Sequence, residues 1–330
     1  MKMIYLITGA AGHLGSVIVK DLIKKKKQVR ALVLPNEKHA PKDVELYYGD
    51  ICDKESIREC FENLNGKKMI VIHCAGIVSI TSKFNQKVYD VNVNGTKNIV
   101  DLCKEYNVLK LIYVSSVHAL PELKNNKVIT EITKFNAEEV IGLYAKTKSE
   151  ASAYVMEAVK QGLNACIVHP SGIIGPYDYG NGHLTTLIID YYKGRLPAGV
   201  NGGYDFVDVR DVANGIILIC DKGICGECYI LSNKYFKVEE ILTLLHDISG
   251  KKKVSIYLPI WFIKIIAPLT EFYYKMLNQT PLFTPYSIYT LSSNANFSHK
   301  KATKELGYKT RDMKDTITDT ITWLKEKERI

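Results

Sequence analysis

The chain has 330 residues, which corresponds to about two domain lengths at roughly 150 residues each. Hydrophobic residues make up 46% and charged residues 24%, a composition that is typical of a globular protein and excludes a largely disordered one. The formal net charge is +9, but the lysines are dispersed and their densest run, at 24–27, ends a predicted helix, so no nucleic-acid partner is predicted. The longest apolar stretch, 254–277, is interrupted by proline, lysine and glutamate, so no membrane span is predicted.

Eight cysteines are spread along the chain, and Cys225 and Cys228 form a Cys-x-x-Cys pair. With Cys220 as the one further candidate ligand nearby, the set is incomplete for zinc, and no metal site is predicted. Met1 leads directly into a strand pattern without a signal peptide, so we expect a reducing, cytoplasmic location.

The first half of the chain alternates β-branched runs with amphipathic stretches, which is typical of a parallel sheet with helical crossovers. In chain order the predicted elements are a strand at 3–8, a helix at 14–25, strands at 29–34 and 46–48, a helix at 56–64, a strand at 69–73, a long helix at 84–106, a strand at 109–115, a helix at 145–160 and a strand at 165–168.

After Pro170 the pattern becomes irregular, and glycine and tyrosine are frequent. Helices are predicted at 184–192, 238–248 and 313–327, and a hairpin at 223–232. We therefore predict a nucleotide-binding type of α/β domain at 1–170 and a smaller, mainly substrate-binding domain at 171–330, with parts of about 205–235 returning to the first domain. An aromatic-rich stretch in the second domain fits a pocket wall, core packing or a membrane-surface helix; it contains Trp261, Phe262, Phe272, Tyr273 and Tyr274.

A glycine-rich turn follows the first predicted strand and opens the first helix, with the sequence Thr8-Gly9-Ala-Ala-Gly12-His-Leu-Gly15. Glycine is needed where a chain turns sharply, where the backbone approaches a diphosphate, and where a helix packs on a strand. The N-terminus of the helix then directs free N–H groups at the anion. In this context the motif predicts dinucleotide binding rather than a simple tight turn.

Tyr144 and Lys148 are spaced so that a helix places the phenol and the ammonium on one face. The positive charge is predicted to lower the pKa of Tyr144 towards working pH, which makes the phenol a proton donor or acceptor. Taken alone, such a pair is more often a solvated surface pair. Ser115 and Ser116 end a predicted strand, where parallel sheets bind ligands, although serine there is usually ordinary loop chemistry.

Taken together, these motifs resemble the extended short-chain dehydrogenase/reductase family, also called the NAD-dependent epimerase/dehydratase family. The resemblance covers nearly the whole chain and implies an enzyme with a Rossmann-type doubly wound parallel sheet and a smaller C-terminal α/β substrate domain. The other matching segments are Gly49-Asp50-Ile51, Cys74-Ala75-Gly76, Asn92-Val-Asn-Gly-Thr96, His169-Pro170-Ser171-Gly172-x-x-Gly175-Pro176, Asp205-Phe-Val-Asp208-Val-Arg-Asp211-Val-Ala213 and Leu306-Gly307-Tyr308.

The resemblance implies three catalytic residues. Ser116 would hydrogen-bond the reacting carbonyl oxygen, Tyr144 would transfer the proton, and Lys148 would bind the nicotinamide ribose and tune Tyr144, while the cofactor carries the hydride step. The implied cofactor-binding residues are Thr8, Gly9, Gly12, His13, Leu14 and Gly15 around the diphosphate, Leu34 and Lys38 after the second strand, Asp50 and Ile51 at the adenine, Cys74, Ala75 and Gly76 at the neighbouring ribose and backbone, Asn92, Val114, Tyr144 and Lys148, and His169, Pro170 and Ser171 on the nicotinamide side.

Within the family, the chain looks most like the branch of dihydroflavonol 4-reductases and 3β-hydroxysteroid dehydrogenases. This likeness implies an oxidoreductase that interconverts a secondary alcohol and a ketone on a small, largely apolar substrate. Nucleotide-sugar dehydratases carry an acidic pair where this chain has Val117-His118, and many epimerases place an arginine where it has Gly203-Tyr204. A nucleotide-sugar epimerase or dehydratase with tightly bound NAD is the alternative, and a non-catalytic NAD(P)-sensing protein is a third hypothesis.

The choice between NAD and NADP depends on the end of the second strand, which reads Val33-Leu34-Pro35. It has neither the carboxylate that usually holds the ribose hydroxyls of NAD nor the arginine that meets the NADP phosphate. Because no carboxylate would repel that phosphate and Lys38 is near, NADP is favoured over NAD. The expected partner is a small-molecule substrate, and a homodimer is left open.

Overall fold

A parallel sheet of seven strands forms the centre of the computed structural model, which describes residues 2–79, 83–180, 182–265 and 285–330. The sheet has the strand order β10-β6-β5-β4-β1-β2-β3. The strands of the described residues are β1 (Met3–Thr8), β2 (Gln28–Val33), β3 (Glu45–Tyr48), β4 (Lys68–His73), β5 (Lys110–Val114), β6 (Ala165–Pro170), β7 (Gly172–Ile174), β8 (Gly199–Asn201), β9 (Gly203–Asp208), β10 (Cys228–Leu231), β11 (Lys234–Lys237) and β12 (Tyr257–Pro259).

The strand order reverses between β1 and β4, because the chain runs outward through β2 and β3 and then returns to the other side of β1. In doubly wound sheets, ligands bind outside the carboxyl ends of the strands at such a reversal. The loops that follow β1, β4 and β5 therefore border the expected ligand crevice.

Helices cover both faces of the sheet. The helices are α1 (His13–Lys24), α2 (Gln86–Tyr89), α3 (Thr96–Glu105), α4 (Leu143–Lys160), α5 (His183–Tyr192), α6 (Val209–Lys222), α7 (Val238–Ser249), α8 (Pro285–Ser292), α9 (Lys300–Leu306) and α10 (Met313–Glu326). Apolar side chains of α1 and α6 form the core on one face, and those of α3 and α4 form the core on the other. Because both faces are covered, the central strands are apolar along their whole length rather than alternating.

Lys110 is the charged exception in β5, and its buried ammonium is fully engaged. It donates to the carbonyl oxygens of Ile219 (3.4 Å), Cys220 (3.4 Å) and Gly223 (2.8 Å) at the end of α6. The last carbonyl groups of a helix carry the negative end of its dipole, so the lysine both satisfies them and stabilises their charge.

The C-terminal half builds a second layer beside the sheet. Strands β7, β9 and β11 form a three-stranded sheet, and β8 pairs with β12. Their apolar side chains share a core with α5, α7 and α10. This layer lies next to β10 and to the residues that follow β5, because Val117 and Ile230 belong to the same core.

The Rossmann-type fold class predicted from the sequence is confirmed, and the six strands of the first half lie within about two residues of their predicted positions. Two helical predictions differ in kind. The segment predicted as a helix at 56–64 is a 3₁₀ helix, Glu55–Phe61, and the predicted long helix at 84–106 contains a π-helical turn, Asp90–Gly95, between α2 and α3.

The predicted hairpin at 223–232 is wrong. Residues Cys228–Leu231 form β10, which pairs in parallel with β6 as the seventh strand of the central sheet. All four of these residues are fully buried, and a hairpin exposed on one face could not bury both sets of side chains. The glycines at 223 and 226 turn the chain from α6 into this strand rather than between two strands.

Within the described residues, no helix combines the length and apolar character that a membrane crossing requires. The side chains of Trp261 and Phe262 in the predicted aromatic stretch are 65% and 39% exposed, so they do not form core packing there. The other members of that stretch, Phe272, Tyr273 and Tyr274, lie outside the described residues.

Candidate functional site

The glycine-rich turn between β1 and α1 is a close-packed loop in which two glycines are sterically required. Gly9 has φ +64°, and a Cβ on it would lie 2.8 Å from the backbone of Ala75. A Cβ on Gly15 would lie 2.1 Å from the carbonyl oxygen of Gly9. Gly12 is exposed at the start of α1, which has no side-chain cap at this end. The first N–H groups of α1 are therefore directed at an open position that suits an anion.

A chain of hydrogen bonds runs beneath this loop. The N–H of Ala75 donates to the Thr8 hydroxyl, and that hydroxyl pairs with Nδ1 of His73 at 2.7 Å. On the other side of the ring, Nε2 of His73 pairs with the Thr96 hydroxyl at 3.1 Å, and Thr96 donates to the carbonyl oxygen of Asn92 at 2.7 Å. Because the Thr96 hydrogen is used on Asn92, Nε2 of His73 carries the ring proton and Nδ1 accepts from Thr8.

Sequence reasoning missed the roles of His73 and Thr96 in this chain of hydrogen bonds. Burial lowers the pKa of His73 to about 3, so the ring is neutral and can hold the two roles at once. The sequence contained a signal for this role, because His73 is a polar residue at the carboxyl end of β4, directly after the apolar run 69–72. It joins the ends of β1 and β4 to the start of α3, which fixes the loops on both sides of the crevice.

Asn92 lies in the π-helical turn, and its side chain is used within the protein. Its Oδ1 accepts from the N–H of Ile77 at 2.8 Å, and its Nδ2 donates to the carbonyl oxygen of Ile77 and to the Thr147 hydroxyl. The residue therefore ties the loop after β4 to α4. π-helical turns are rare and are frequent at functional sites, and this one borders Gly76, whose Cβ would lie 3.2 Å from Asn92 Oδ1.

Ser116, Tyr144 and Lys148 converge at the carboxyl end of β5, and all three are buried. The Ser116 hydroxyl interacts with the Tyr144 phenol. The ammonium of Lys148 donates to the carbonyl oxygen of Val114 at 2.9 Å. Gly76 closes the other side, because a Cβ there would approach Lys148 Nζ to 3.3 Å. The predicted catalytic side chains are thus brought together by β5, α4 and the loop after β4.

The predicted lowering of the Tyr144 pKa is wrong for this structure. Burial raises the pKa of Tyr144 to about 12, and the Ser116 hydroxyl is the contact that opposes this rise. The ammonium of Lys148 is held by the carbonyl oxygen of Val114 rather than by the phenol, and burial lowers its own pKa to about 8. Desolvation therefore outweighs the helical spacing, and the phenol keeps its proton at neutral pH.

The segment after β6 is tied to Ser116 and to the second layer. His169 Nδ1 donates to the carbonyl oxygen of Ser116 at 2.9 Å, and burial lowers the pKa of His169 to about 4. The Ser171 hydroxyl donates to Asp205 Oδ1 at 2.5 Å. Asp205 lines a cavity of about 590 Å³ beside β9 and β11, and burial raises its pKa to about 6. Pro170, between these residues, ends β6.

The residues predicted to contact the adenosine end of the cofactor differ in how far their side chains already interact within the protein. Leu34 and Lys38 are exposed after β2, and Lys38 forms no ion pair within the described ranges. The Asp50 carboxylate accepts from the N–H of Cys52 at 2.9 Å, which shapes the turn after β3. Ile51 is buried, and its side chain fills the space where a Cβ on Gly95 would lie.

Of the other predicted contacts, His13 hydrogen-bonds the carbonyl oxygen of Pro176 at 3.0 Å, which links the glycine-rich loop to the loop after β7. Leu14 is buried in the core beneath α1. Cys74 follows β4 and donates its N–H to the carbonyl oxygen of Thr8, and burial raises the pKa of its thiol to about 12.

Three aromatic rings from distant parts of the chain surround His118, two residues after Ser116. The imidazole stacks on Tyr204 at 5.7 Å with 12° between the planes, and it lies 5.8 Å from the rings of both Tyr144 and Tyr286. Its Nε2 is 3.2 Å from the Tyr204 hydroxyl, and its Nδ1 is 3.2 Å from the Tyr286 hydroxyl. The two positions at which the sequence departs from nucleotide-sugar enzymes, 118 and 204, are therefore in direct contact beside Tyr144.

Two arginines from other parts of the chain are candidates to bind a substrate phosphate, but each is already paired with a carboxylate. Arg195 is bound by Asp190. Arg210 is bound by Asp208 at 2.7 Å and by Asp319 at 2.5 Å, within the network that joins α6 to α10. Both guanidinium groups are therefore engaged by carboxylates rather than by a group beside Tyr144.

Comparisons with known proteins agree with this architecture. The profile of the "NAD dependent epimerase/dehydratase family" matches residues 5–231. Sterol demethylase protein B of Methylococcus capsulatus is 30% identical, over 99% of this chain and 100% of that protein. The 3 beta-hydroxysteroid dehydrogenase type 7 of Mus musculus is 27% identical, over 99% of this chain and 96% of that protein. The solved structure of gox2253 is 30% identical and covers 99% of both chains with a TM-score of 0.85.

The match of the family profile begins within β1 and ends at β10, so it includes the glycine-rich loop, Ser116, Tyr144 and Lys148, and nearly all of the central sheet. The family resemblance drawn from the motifs is confirmed. The chain belongs to the NAD-dependent epimerase/dehydratase family and is an NAD(P)-dependent short-chain dehydrogenase/reductase of the extended type.

Proposed function

We propose that this enzyme interconverts a secondary alcohol and a ketone on a small, largely apolar substrate. The observation that carries the proposal is the buried group of Ser116, Tyr144 and Lys148, bordered on its open side by uncharged aromatic rings. The names of two relatives, a sterol demethylase component and a 3β-hydroxysteroid dehydrogenase, support a substrate of this chemical class.

Tyr144 is the proton donor in the reduction direction. Because burial raises its pKa to about 12, the phenol is protonated at neutral pH and can give a proton to the developing alkoxide. Ser116 donates a hydrogen bond to the same oxygen and fixes its position. In the oxidation direction the phenolate is required first, so burial favours ketone reduction at neutral pH.

The glycine-rich loop and the first turn of α1 would hold the cofactor diphosphate, with Gly12 at the point of closest approach. Lys148 would bind the nicotinamide ribose, since its ammonium lies between the ends of β4 and β5. The cofactor would supply or accept the hydride.

NADP is the cofactor that we favour over NAD. Lys38 is exposed and unpaired within the described ranges, and Leu34, directly after β2, offers no carboxylate. A 2′-phosphate would therefore meet a free ammonium and no repelling charge. We expect Lys38→Ala to weaken NADPH binding while leaving NADH binding nearly unchanged, as measured by fluorescence titration. A clear preference of the unmodified enzyme for NADH would contradict the assignment.

The experiment for the overall function follows NAD(P)H absorbance with a panel of alicyclic and aromatic ketones, beside calorimetry with UDP. We expect ketone-dependent oxidation and weak UDP binding, because a buried diphosphate without a cation carries a desolvation cost of several kcal/mol. Tyr144→Phe should reduce turnover by about two orders of magnitude or more with cofactor affinity nearly intact.

Micromolar UDP binding without turnover of any ketone would overturn this proposal and favour the nucleotide-sugar epimerase. Full activity of Tyr144→Phe would remove the phenol from the proton path. Lys146→Ala, on the same helix but paired with the exposed Glu138, serves as the control and should change neither activity nor cofactor binding.

A further inference from the structure

The cluster of His118, Tyr204 and Tyr286 contains a hydrogen-bond donor for which the described residues provide no acceptor. Each ring nitrogen of His118 meets one phenol hydroxyl at 3.2 Å. A neutral imidazole has one N–H and one bare nitrogen, so one phenol donates to it and the other accepts from it. A charged imidazole would donate to both phenols. In either state at least one phenolic hydrogen is left over.

Both phenols are buried, with 5% of Tyr204 and 6% of Tyr286 exposed. Neither hydroxyl has a second partner among the residues that the structure describes. Leaving a buried donor without an acceptor costs about 1–3 kcal/mol, so such groups are normally satisfied by a bound molecule or by water. The leftover hydrogen therefore marks a place where a ligand atom can accept.

The position of the cluster links it to the proposed reaction. The His118 backbone N–H donates to the Ser116 hydroxyl oxygen at 3.2 Å, and the ring meets the edge of Tyr144. Tyr286 presses on Gly142, immediately before α4, where a Cβ would lie 2.3 Å from its ring. The cluster is thus built rigidly onto both elements that carry the proton-transfer residues.

The surroundings of the cluster are aromatic, and the charged groups near it are acidic. Tyr204 packs against Phe206 and Phe297. Asp205 follows Tyr204 in β9, and Glu122 holds the hydroxyl of Tyr289 one turn along α8 from Tyr286. Within the described ranges, no lysine or arginine is stacked over the three rings or hydrogen-bonded to their polar atoms. This chemistry suits flat, uncharged ring faces and disfavours phosphate or carboxylate groups.

We propose that His118, Tyr204 and Tyr286 form a specificity subsite that binds a second, neutral oxygen of a ring-bearing substrate, in addition to the oxygen that reacts at Tyr144. The subsite rests on the proposed ketone and alcohol chemistry and narrows its substrate class to rigid ring compounds with two oxygen functions. The reacting oxygen is placed by Ser116 and Tyr144, and the distal one by a phenol.

The test compares a bicyclic decalindione with the decalone that lacks its second carbonyl group. The double variant Tyr204→Phe/Tyr286→Phe keeps both rings and removes both phenolic hydrogens. We expect the enzyme to prefer the diketone in kcat/KM, and the double variant to lose about tenfold of this preference through KM. Each single variant should lose less, because the remaining phenol can turn its hydrogen to the substrate.

Tyr289→Phe, on the same helix as Tyr286, is the matched control. The Tyr289 hydroxyl already donates to Glu122, so this variant should leave the preference unchanged. Equal losses with both ketones in the double variant would indicate a packing role and overturn the subsite, as would an unchanged preference. The melting temperatures of the variants show whether folding is intact.

Failure of the reductase proposal can be recognised separately. If the unmodified enzyme reduces neither ketone, the binding of both is measured by calorimetry in the presence of NADPH. Tighter binding of the diketone that disappears in the double variant would support the subsite and reject the reaction. Equal binding of the two ketones, or none, would reject the subsite.

Discussion

Tyr144 and Lys148 are separated by one turn of α4, but burial acts on them in opposite senses. Removing a phenol from water disfavours its anion and raises its pKa, whereas removing an ammonium disfavours its cation and lowers its pKa. Both shifts favour the neutral form. At pH 7 the apoprotein therefore holds a protonated tyrosine and a lysine that is still charged, with its ammonium bonded to the carbonyl oxygen of Val114 but destabilised by burial.

The cost of burying the Lys148 ammonium gives a stability prediction. Its pKa is about 8 in the folded protein. The unfolded value is about 10.4, so the unfolded state binds the proton more tightly, and stability is lost as pH falls from about 10.4 to 8. We expect Lys148→Met to stabilise the apoprotein at pH 7 by on the order of 2–3 kcal/mol and to give no gain above about pH 10.5.

Denaturant unfolding of the apoprotein at pH 7, 9 and 10.5 measures this difference. Lys146→Met on the same helix is the control, because its side chain is 43% exposed and paired with Glu138. A gain at pH 7 that persists unchanged at pH 10.5 would attribute the effect to packing of methionine rather than to the buried charge.

At the scale of elements, the glycine-rich turn has divided roles among its glycines. Gly9 and Gly15 are needed for folding, because added Cβ atoms would collide with the backbone of Ala75 and of Gly9 itself. Gly12 has φ −71°, which any residue adopts, and its nearest contact from a Cβ is 3.2 Å. The loop therefore packs through its first and last glycines and leaves its middle one at the proposed diphosphate site.

This division predicts that Gly12→Val folds but does not bind the dinucleotide. A branched side chain would occupy the position of the diphosphate in front of the α1 N–H groups, so we expect affinity for NADPH to fall by about a hundredfold or more, with a small change in melting temperature. Gly15→Ala is the comparison variant and should instead lower stability, since the collision is with backbone. Normal NADPH affinity in Gly12→Val would move the diphosphate site elsewhere.

At the scale of the whole molecule, three histidines join elements that are far apart in sequence; His73 and His169 are buried, and His118 is half-buried. His73 joins β1 and β4 to α3, His118 joins the end of β5 to β9 and α8, and His169 joins β6 to Ser116. Burial lowers their pKa values to about 3, 4 and 4. Burial disfavours the charged form of each ring, so protonation weakens the structure where separate elements meet rather than within one element.

This arrangement predicts acid sensitivity. Below about pH 6.5 these histidines bind protons in the unfolded chain but not in the folded protein, so the free energy of unfolding falls as pH falls. Asp205, with its pKa raised to about 6, binds a proton in the folded state and offsets one of the three. The net loss is about 3 kcal/mol per pH unit near pH 5.

Guanidinium unfolding at pH 7.5, 6.5, 5.5 and 4.5 measures the loss, and the first two free energies of unfolding should differ by only about 1 kcal/mol. A free energy of unfolding that stays constant down to pH 4.5 would mean that the three rings are protonated without breaking their contacts.

The strands, the glycine-rich turn and the family follow from the sequence alone, because they depend on short-range patterns. Apolar runs of five or six residues separated by amphipathic stretches identify a buried parallel sheet, and the spacing of Thr8, Gly9, Gly12 and Gly15 is local. The positions of Ser116, Tyr144 and Lys148 could also be predicted from the sequence, since the serine ends a predicted strand and the other two share one face of a predicted helix.

The tertiary structure decided what depends on burial or on distant contacts. Residues 223–232 contain turn-forming glycines and an apolar run, which fit a hairpin locally, and it is the open edge of β6 that recruits them as β10. The helical spacing of Tyr144 and Lys148 says nothing about desolvation, which sets their pKa values. His118 contacts Tyr204 and Tyr286, which are 86 and 168 residues away in the sequence. The uncharged aromatic cluster beside Tyr144 therefore forms only when the two layers pack together.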